Sequence, residues 1–123
     1  MGQVLGIGGV FYKAADGAAV KDWWKRVLGI EVTPWGAAMF KNPDQGFQQL
    51  TTFAADSGYF APSDAPFMIN LIVDDMDAVL AKVEAAGETV LNREDHEYGR
   101  FAWVMDPAGV KIELWQPLGE GPA

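Results

Sequence analysis

One order of elements occurs twice along this chain, and it limits the fold more than any single motif. An apolar stretch at Val4–Tyr12 reads as a strand, and Asp16 precedes a helix from about Ala18 to Leu28 as a candidate N-cap. Val20, Trp23, Trp24, Val27 and Leu28 share one face of that helix, and Gly29 stands where a left-handed residue would end it. Ile30–Thr33, Trp35–Phe40 and Phe47–Phe53 follow as strands. Residues 55–66 are rich in turn formers, although Tyr59 and Phe60 within them call for a packing partner. The order then returns. Phe67–Val73 is a strand, Asp74 or Asp75 caps a helix from about Met76 to Ala86, and Gly87 ends it. Glu88–Leu91, Phe101–Met105 and Val110–Gln116 are the remaining strands, with a strong turn at Asp106-Pro107-Ala108-Gly109. Two anchors keep the same order in both halves: Val27-Leu28-Gly29-Ile30-Glu31-Val32 against Ala85-Ala86-Gly87-Glu88-Thr89-Val90, and Phe40-Lys41-Asn42-Pro43 against Val104-Met105-Asp106-Pro107. The expectation is one α+β domain over residues 1–123. A first module at about 4–54, a linker at 55–66 and a second module at about 67–117 precede a tail at 118–123.

Composition removes several function classes. Seventeen acidic against nine basic residues leave a net charge of −8, a field that repels phosphate backbones and argues against a nucleic-acid partner. The chain has no cysteine, so no disulfide, thiolate zinc site or thiol nucleophile is available. No apolar run approaches the roughly 18 residues of a membrane-spanning helix. Met1–Phe11 lacks a basic flank and reads as a strand instead of a signal peptide, so a cytoplasmic location is expected.

Three segments resemble the vicinal oxygen chelate superfamily of glyoxalase I, bleomycin-resistance proteins and extradiol dioxygenases. They are Trp23-Trp24-Lys25-Arg26-Val27-Leu28-Gly29-Ile30-Glu31-Val32, Val73-Asp74-Asp75-Met76-Asp77, and the run from Tyr98-Gly99-Arg100-Phe101-Ala102-Trp103 through Asp106-Pro107-Ala108-Gly109 to Ile112-Glu113-Leu114-Trp115. The last is the most specific. The resemblance implies two βαβββ modules whose sheets curl into a mixed-sheet cleft for a small molecule, and it implies a homodimer. Strand edges that need covering point the same way.

Strand alternation then sorts the side chains. Ile112 and Leu114 suit the helix side, so Lys111, Glu113 and Trp115 face the cleft. Ile69, Leu71 and Val73 suit the core, so Met68, Asn70 and Ile72 face the cleft. Equating Leu50 with Leu114 places Gln49 opposite Glu113. Metal-dependent relatives put ligands on the first and last strand of each module, which map here to Gly9, Gln49, Met68 and Glu113. Only Glu113 is a good donor to a hard cation, so no catalytic metal and no other cofactor is expected.

Glu113 is the best single polar candidate, either as a general base of a lyase or isomerase or as an anchor for a ligand cation; the competing reading is a salt bridge to Lys111 or Arg100. Asn70, a polar residue in an apolar strand, needs a partner, whether ligand, backbone or water. Trp103 and Trp115 are candidates for an aromatic ligand wall, and strand phase at Trp103 stays open. Tyr98 and Arg100 either touch a ligand or form a solvated edge pair. His96, the one histidine, lies in a charged run that reads as an exposed loop, with general-base chemistry the alternative. Small-molecule binding without a metal is thus the leading reading, and base catalysis through Glu113, with or without a weakly held divalent metal, is the alternative.

Overall fold

The computed structural model describes residues 2, 9–42 and 46–119. Helix α1 spans Gly17–Leu28. The Asp16 carboxylate accepts the Ala19 N–H at 3.1 Å, and Gly29 closes the helix at φ 69° with its N–H on the Lys25 carbonyl. Helix α2 spans Met76–Ala85, and its cap is Asp75, whose carboxylate accepts the Ala78 N–H at 3.1 Å. Among the described residues four strands join them: β1 (Ile69–Ile72), β2 (Asn92–His96), β3 (Gly99–Met105) and β4 (Lys111–Pro117). They form one sheet in the order β1-β4-β3-β2. β1 runs parallel to β4, the arrangement that the intervening helix permits, and the other pairs are antiparallel.

Both helices cover the same face of this sheet. Trp23 and Val27 of α1 and Met76, Leu80 and Val83 of α2 close on Ala102, Val104, Ile112 and Leu114 in a single core. Tyr12 ties the N-terminal segment to it: its ring lies between Trp24 and Phe67, and its hydroxyl donates to Asp106 Oδ2 at 2.8 Å. Burial, then the Asp106 carboxylate, hold that phenol well above its ordinary pKa. The other Asp106 oxygen accepts the N–H groups of Ala108 and Val110 and so builds the β3–β4 turn.

The second copy of the repeat follows the sequence reading with one shift. The strand expected at Glu88–Leu91 forms instead at Asn92–His96, a charged segment read from sequence as a loop. An edge strand tolerates charge because one side faces water, and Arg93 there pairs with Asp77 and Asp95 at 2.8 and 3.1 Å.

The first copy departs further. Of the strand expected at Val4–Tyr12, residues 4–8 lie outside the described residues, and 9–12 carry no strand. Ile30–Thr33 and Trp35–Phe40 reduce to one bridge between Val32 and Ala38, and Phe47–Phe53 forms no ladder. Leu50 is 91% exposed, whereas Leu114, its partner in the repeat, is 1% exposed. The reason is the placement of α1. It packs on α2 and spends its apolar face on the second module's core, so no helix is left to cover a first-module sheet. Pro34, Gly36 at φ 92° and Gly46 at φ 88° also interrupt the extended runs.

Candidate functional site

Alternation along β4 sends Ile112 and Leu114 into the core and Lys111, Glu113 and Trp115 to the opposite, helix-free face. Cross-strand register completes that face. Trp103 stands opposite Glu113, Phe101 opposite Trp115, and Asn70 lies beside Glu113 on β1. This settles the phase of Trp103: it points to the same side as Glu113.

Glu113 is 9% exposed and holds three donors. Asn70 Nδ2 donates to Oε1 at 2.7 Å, Trp103 Nε1 donates to Oε2 at 2.9 Å, and the Tyr59 hydroxyl donates to the same Oε2. A buried carboxylate must be compensated in this way, because an unpaired charge in low dielectric costs several kcal/mol. Tyr59 comes from the 55–66 linker, which folds over the helix-free face. It is fastened by Lys111 Nζ donating to the Tyr59 carbonyl at 2.7 Å and by the Ser63 hydroxyl on the Gly109 carbonyl. Burial and the Glu113 carboxylate push the Tyr59 phenol well above its ordinary pKa, so it stays a proton donor.

Aromatic rings fill the rest of the face. Trp115, Phe101 and Trp103 stand nearly parallel, with centroids 6.3 and 6.4 Å apart. Phe47 meets Trp115 edge-on at 5.1 Å, and Tyr59 meets Trp103 edge-on at 6.2 Å while stacking on Phe53 at 5.3 Å. Gly46 is needed here: a side-chain carbon at that position would come within 2.8 Å of Ile72 Cδ1. The indole nitrogen of Trp115 is buried and has no hydrogen-bond partner among the described residues.

The face therefore brings together Glu113, Asn70, Trp103 and Trp115. Gln49 is exposed in a segment that makes no ladder with β4, because its module lacks the strand that would place it opposite Glu113. Arg100 stands on the helix side of β3, 3.9 Å from Asp77, and so meets neither a ligand on this face nor Glu113. Tyr98 sits at the β2–β3 turn, half exposed, stacked on the His96 ring at 5.1 Å. His96 Nε2 lies 3.3 Å from Glu94 Oε1 at the sheet edge. Two residues that the sequence did not single out as ligands, Tyr59 and Lys111, make direct contact with the site. For Tyr59 the signal was present: an aromatic pair inside a turn-rich linker has to pack on something.

Cavities lie beside this centre. One of about 880 Å³ runs along the free edge of β1, among Leu28, Ile30, Phe40, Ile72, Lys82 and Pro117. Another of about 500 Å³ lies within the linker, around Ala55, Phe60, Asp64 and Pro66. Neither is lined by Glu113, whose face is covered by Tyr59.

The family profile described as Glyoxalase-like domain matches residues 9–115. The chain belongs to the glyoxalase-like domain family. Among solved structures, this glyoxalase-like domain is similar to a protein from the mobile metagenome of V. Pseudocholerae, with a TM-score of 0.56 at 16% identity over 93% of this chain and 98% of the other. It is similar to TnmS3, an antibiotic binding protein from Streptomyces sp. CB03234, with a TM-score of 0.53 at 24% identity over 85% and 88%. It is also similar to a lactoylglutathione lyase from Agrobacterium tumefaciens, with a TM-score of 0.50 at 20% identity over 84% and 87%. At these identities the likeness establishes the glyoxalase-like fold. No curated protein matches the chain significantly.

A metal of the kind used by metal-dependent relatives does not fit the donors of this glyoxalase-like domain. Of the four mapped positions, Gly9 has no side chain, Met68 offers a soft thioether, and Gln49 is exposed on a segment that forms no strand. The fourth, Glu113, already accepts three hydrogen bonds. Among the described residues no three of His, Asp or Glu gather as a metal-binding group. No helix among them is long and apolar enough to cross a membrane.

Proposed function

We propose that this glyoxalase-like domain binds a small, flat organic molecule on the aromatic face around Glu113, without a catalytic metal. One observation carries the reading. A buried, hydrogen-bonded carboxylate stands inside a wall of Trp103, Trp115, Phe101, Phe47 and Tyr59 on the sheet face that no helix covers. Aromatic walls with a few fixed polar groups are the usual build of small-molecule sites. TnmS3, which shares the fold, is described as an antibiotic binding protein, and that is consistent with this use of the face.

Glu113 serves as an anchor in this reading. As a general base it would have to release Tyr59 and Trp103 before accepting a substrate proton, so binding is favoured over base catalysis. The homodimer expected from sequence belongs to the same proposal, since Phe11, Trp35, Phe40 and Leu50 are exposed apolar side chains. A monomeric mass in light scattering would remove that part.

The test is quenching of tryptophan fluorescence by a panel of one- and two-ring aromatic compounds, repeated on Trp115→Ala. Saturable quenching that weakens at least about tenfold in the variant, a loss of about 1.4 kcal/mol, supports the site. Absence of quenching and of any rise in melting temperature across the panel refutes it.

A further inference from the structure

Lys111 is a charged side chain on the aromatic face that does not hydrogen-bond Glu113, its carboxylate neighbour; its ammonium bonds the Tyr59 carbonyl instead. It points to the same side of β4 as Glu113, two residues away, yet its ammonium is over the rings of the linker and β3. Nζ lies 5.2 Å from the Tyr59 ring centroid and 5.7 Å from the Trp103 centroid. Both distances are within the roughly 6 Å at which a ring face attracts a cation. The same two rings donate their polar hydrogens to Glu113. A carboxylate accepting from the phenol and from the indole pushes electron density into both rings and makes their faces better hosts for positive charge. Two aromatic faces with a buried carboxylate behind them constitute a cation site. Here the cation is the protein's own.

We propose that Tyr59, Trp103 and Glu113 form a subsite for an organic ammonium group, and that Lys111 occupies it as an internal competitor until such a ligand displaces it. The inference rests on the small-molecule reading above and names the ligand class: an aromatic molecule carrying a quaternary or alkylated ammonium. Displacement is feasible because the Lys111 side chain is partly exposed and its ammonium donates to a backbone carbonyl, that of Tyr59, so water replaces that partner when it swings out. The net charge of −8 draws cations toward the chain over a longer range.

The test compares phenyltrimethylammonium with tert-butylbenzene, which has the same shape without the charge. Binding is read by tryptophan quenching in the wild type, Lys111→Met and Lys111→Met/Glu113→Gln. Removing the competitor should raise affinity for the cation roughly 5- to 30-fold, as one or two cation–π contacts allow. The effect is read as the cation-to-neutral affinity ratio, which cancels any change that Lys111→Met makes to the linker, and Glu113→Gln should return that ratio toward the wild-type value. If both probes bind and Lys111→Met leaves their ratio unchanged, the cation subsite is refuted while the aromatic site stands. If neither probe binds any of the proteins, this inference is overturned, while the small-molecule reading falls only if the whole aromatic panel also fails. Should the double variant fail to fold, the ratio in Lys111→Met alone decides the matter.

Discussion

Replacing Tyr59 by phenylalanine removes one hydroxyl and keeps the ring, which makes it the sharpest probe of the linker's hold on the sheet. The lost bond runs to a charged acceptor, and such bonds contribute roughly 1.5–3 kcal/mol. Two features adjust that range. Glu113 is 9% exposed, so little water reaches the vacated lone pair, while Tyr59 itself is 39% exposed, so part of its bond is already shared with solvent. Asn70 and Trp103 continue to hold the carboxylate. The expected loss is therefore about 1–2 kcal/mol, or about 3–8 °C in melting temperature for a chain of this size. Urea unfolding followed by tryptophan fluorescence measures it directly, since Trp103 is part of the contact. The pH dependence gives a second, independent reading. The folded state holds the Tyr59 phenol above its unfolded pKa. Its contribution is then complete below about pH 10 and is lost as pH rises through the folded value, because the unfolded chain ionises first. The difference between wild type and Tyr59→Phe should be flat from about pH 6 to 9 and shrink above about pH 10. Equal unfolding midpoints for the two proteins throughout the neutral range would mean that the linker does not close on Glu113.

Other substitutions test other parts of the architecture. Leu114→Ala should cost about 2–5 kcal/mol and Leu50→Ala less than about 0.5 kcal/mol, compared by urea unfolding; similar costs would show that the two modules are packed alike after all. Asp106→Ala should cost roughly 2–4 kcal/mol in the same assay, since it leaves the Ala108 and Val110 amides and the Tyr12 hydroxyl without their acceptor. Gly29→Ala should lose about 1–2 kcal/mol in thermal melting, because φ 69° suits only a residue free of Cβ strain; an unchanged melting temperature would contradict the left-handed cap.

The two helices were legible because their evidence is local. Apolar spacing at Val20, Trp23, Val27 and at Met76, Leu80, Val83, with aspartate caps and closing glycines, needs no tertiary partner to be recognised. The inward set of β4 and β1 was legible for the same reason, since a period of two separates Ile112 and Leu114 from Glu113 and Trp115 in any sheet that buries one face. What escaped depended on which element each surface met. The repeat places Leu50 and Leu114 in equivalent positions, but a repeat cannot say that α1 joins the second module's core and leaves the first without a cover. Asn92–His96 looked like a solvated loop because edge strands and loops share a composition. Trp103 had no phase until its register with Glu113 set one. Tyr59 reaches the site across a fold-back of the linker, and Lys111, legible as facing the cleft, meets its rings only because that linker and β3 bring them there. Local residue order thus determined the elements and the polarity of their faces, while the choice of partner for each face was made only in three dimensions, where burial of one surface competes with burial of another.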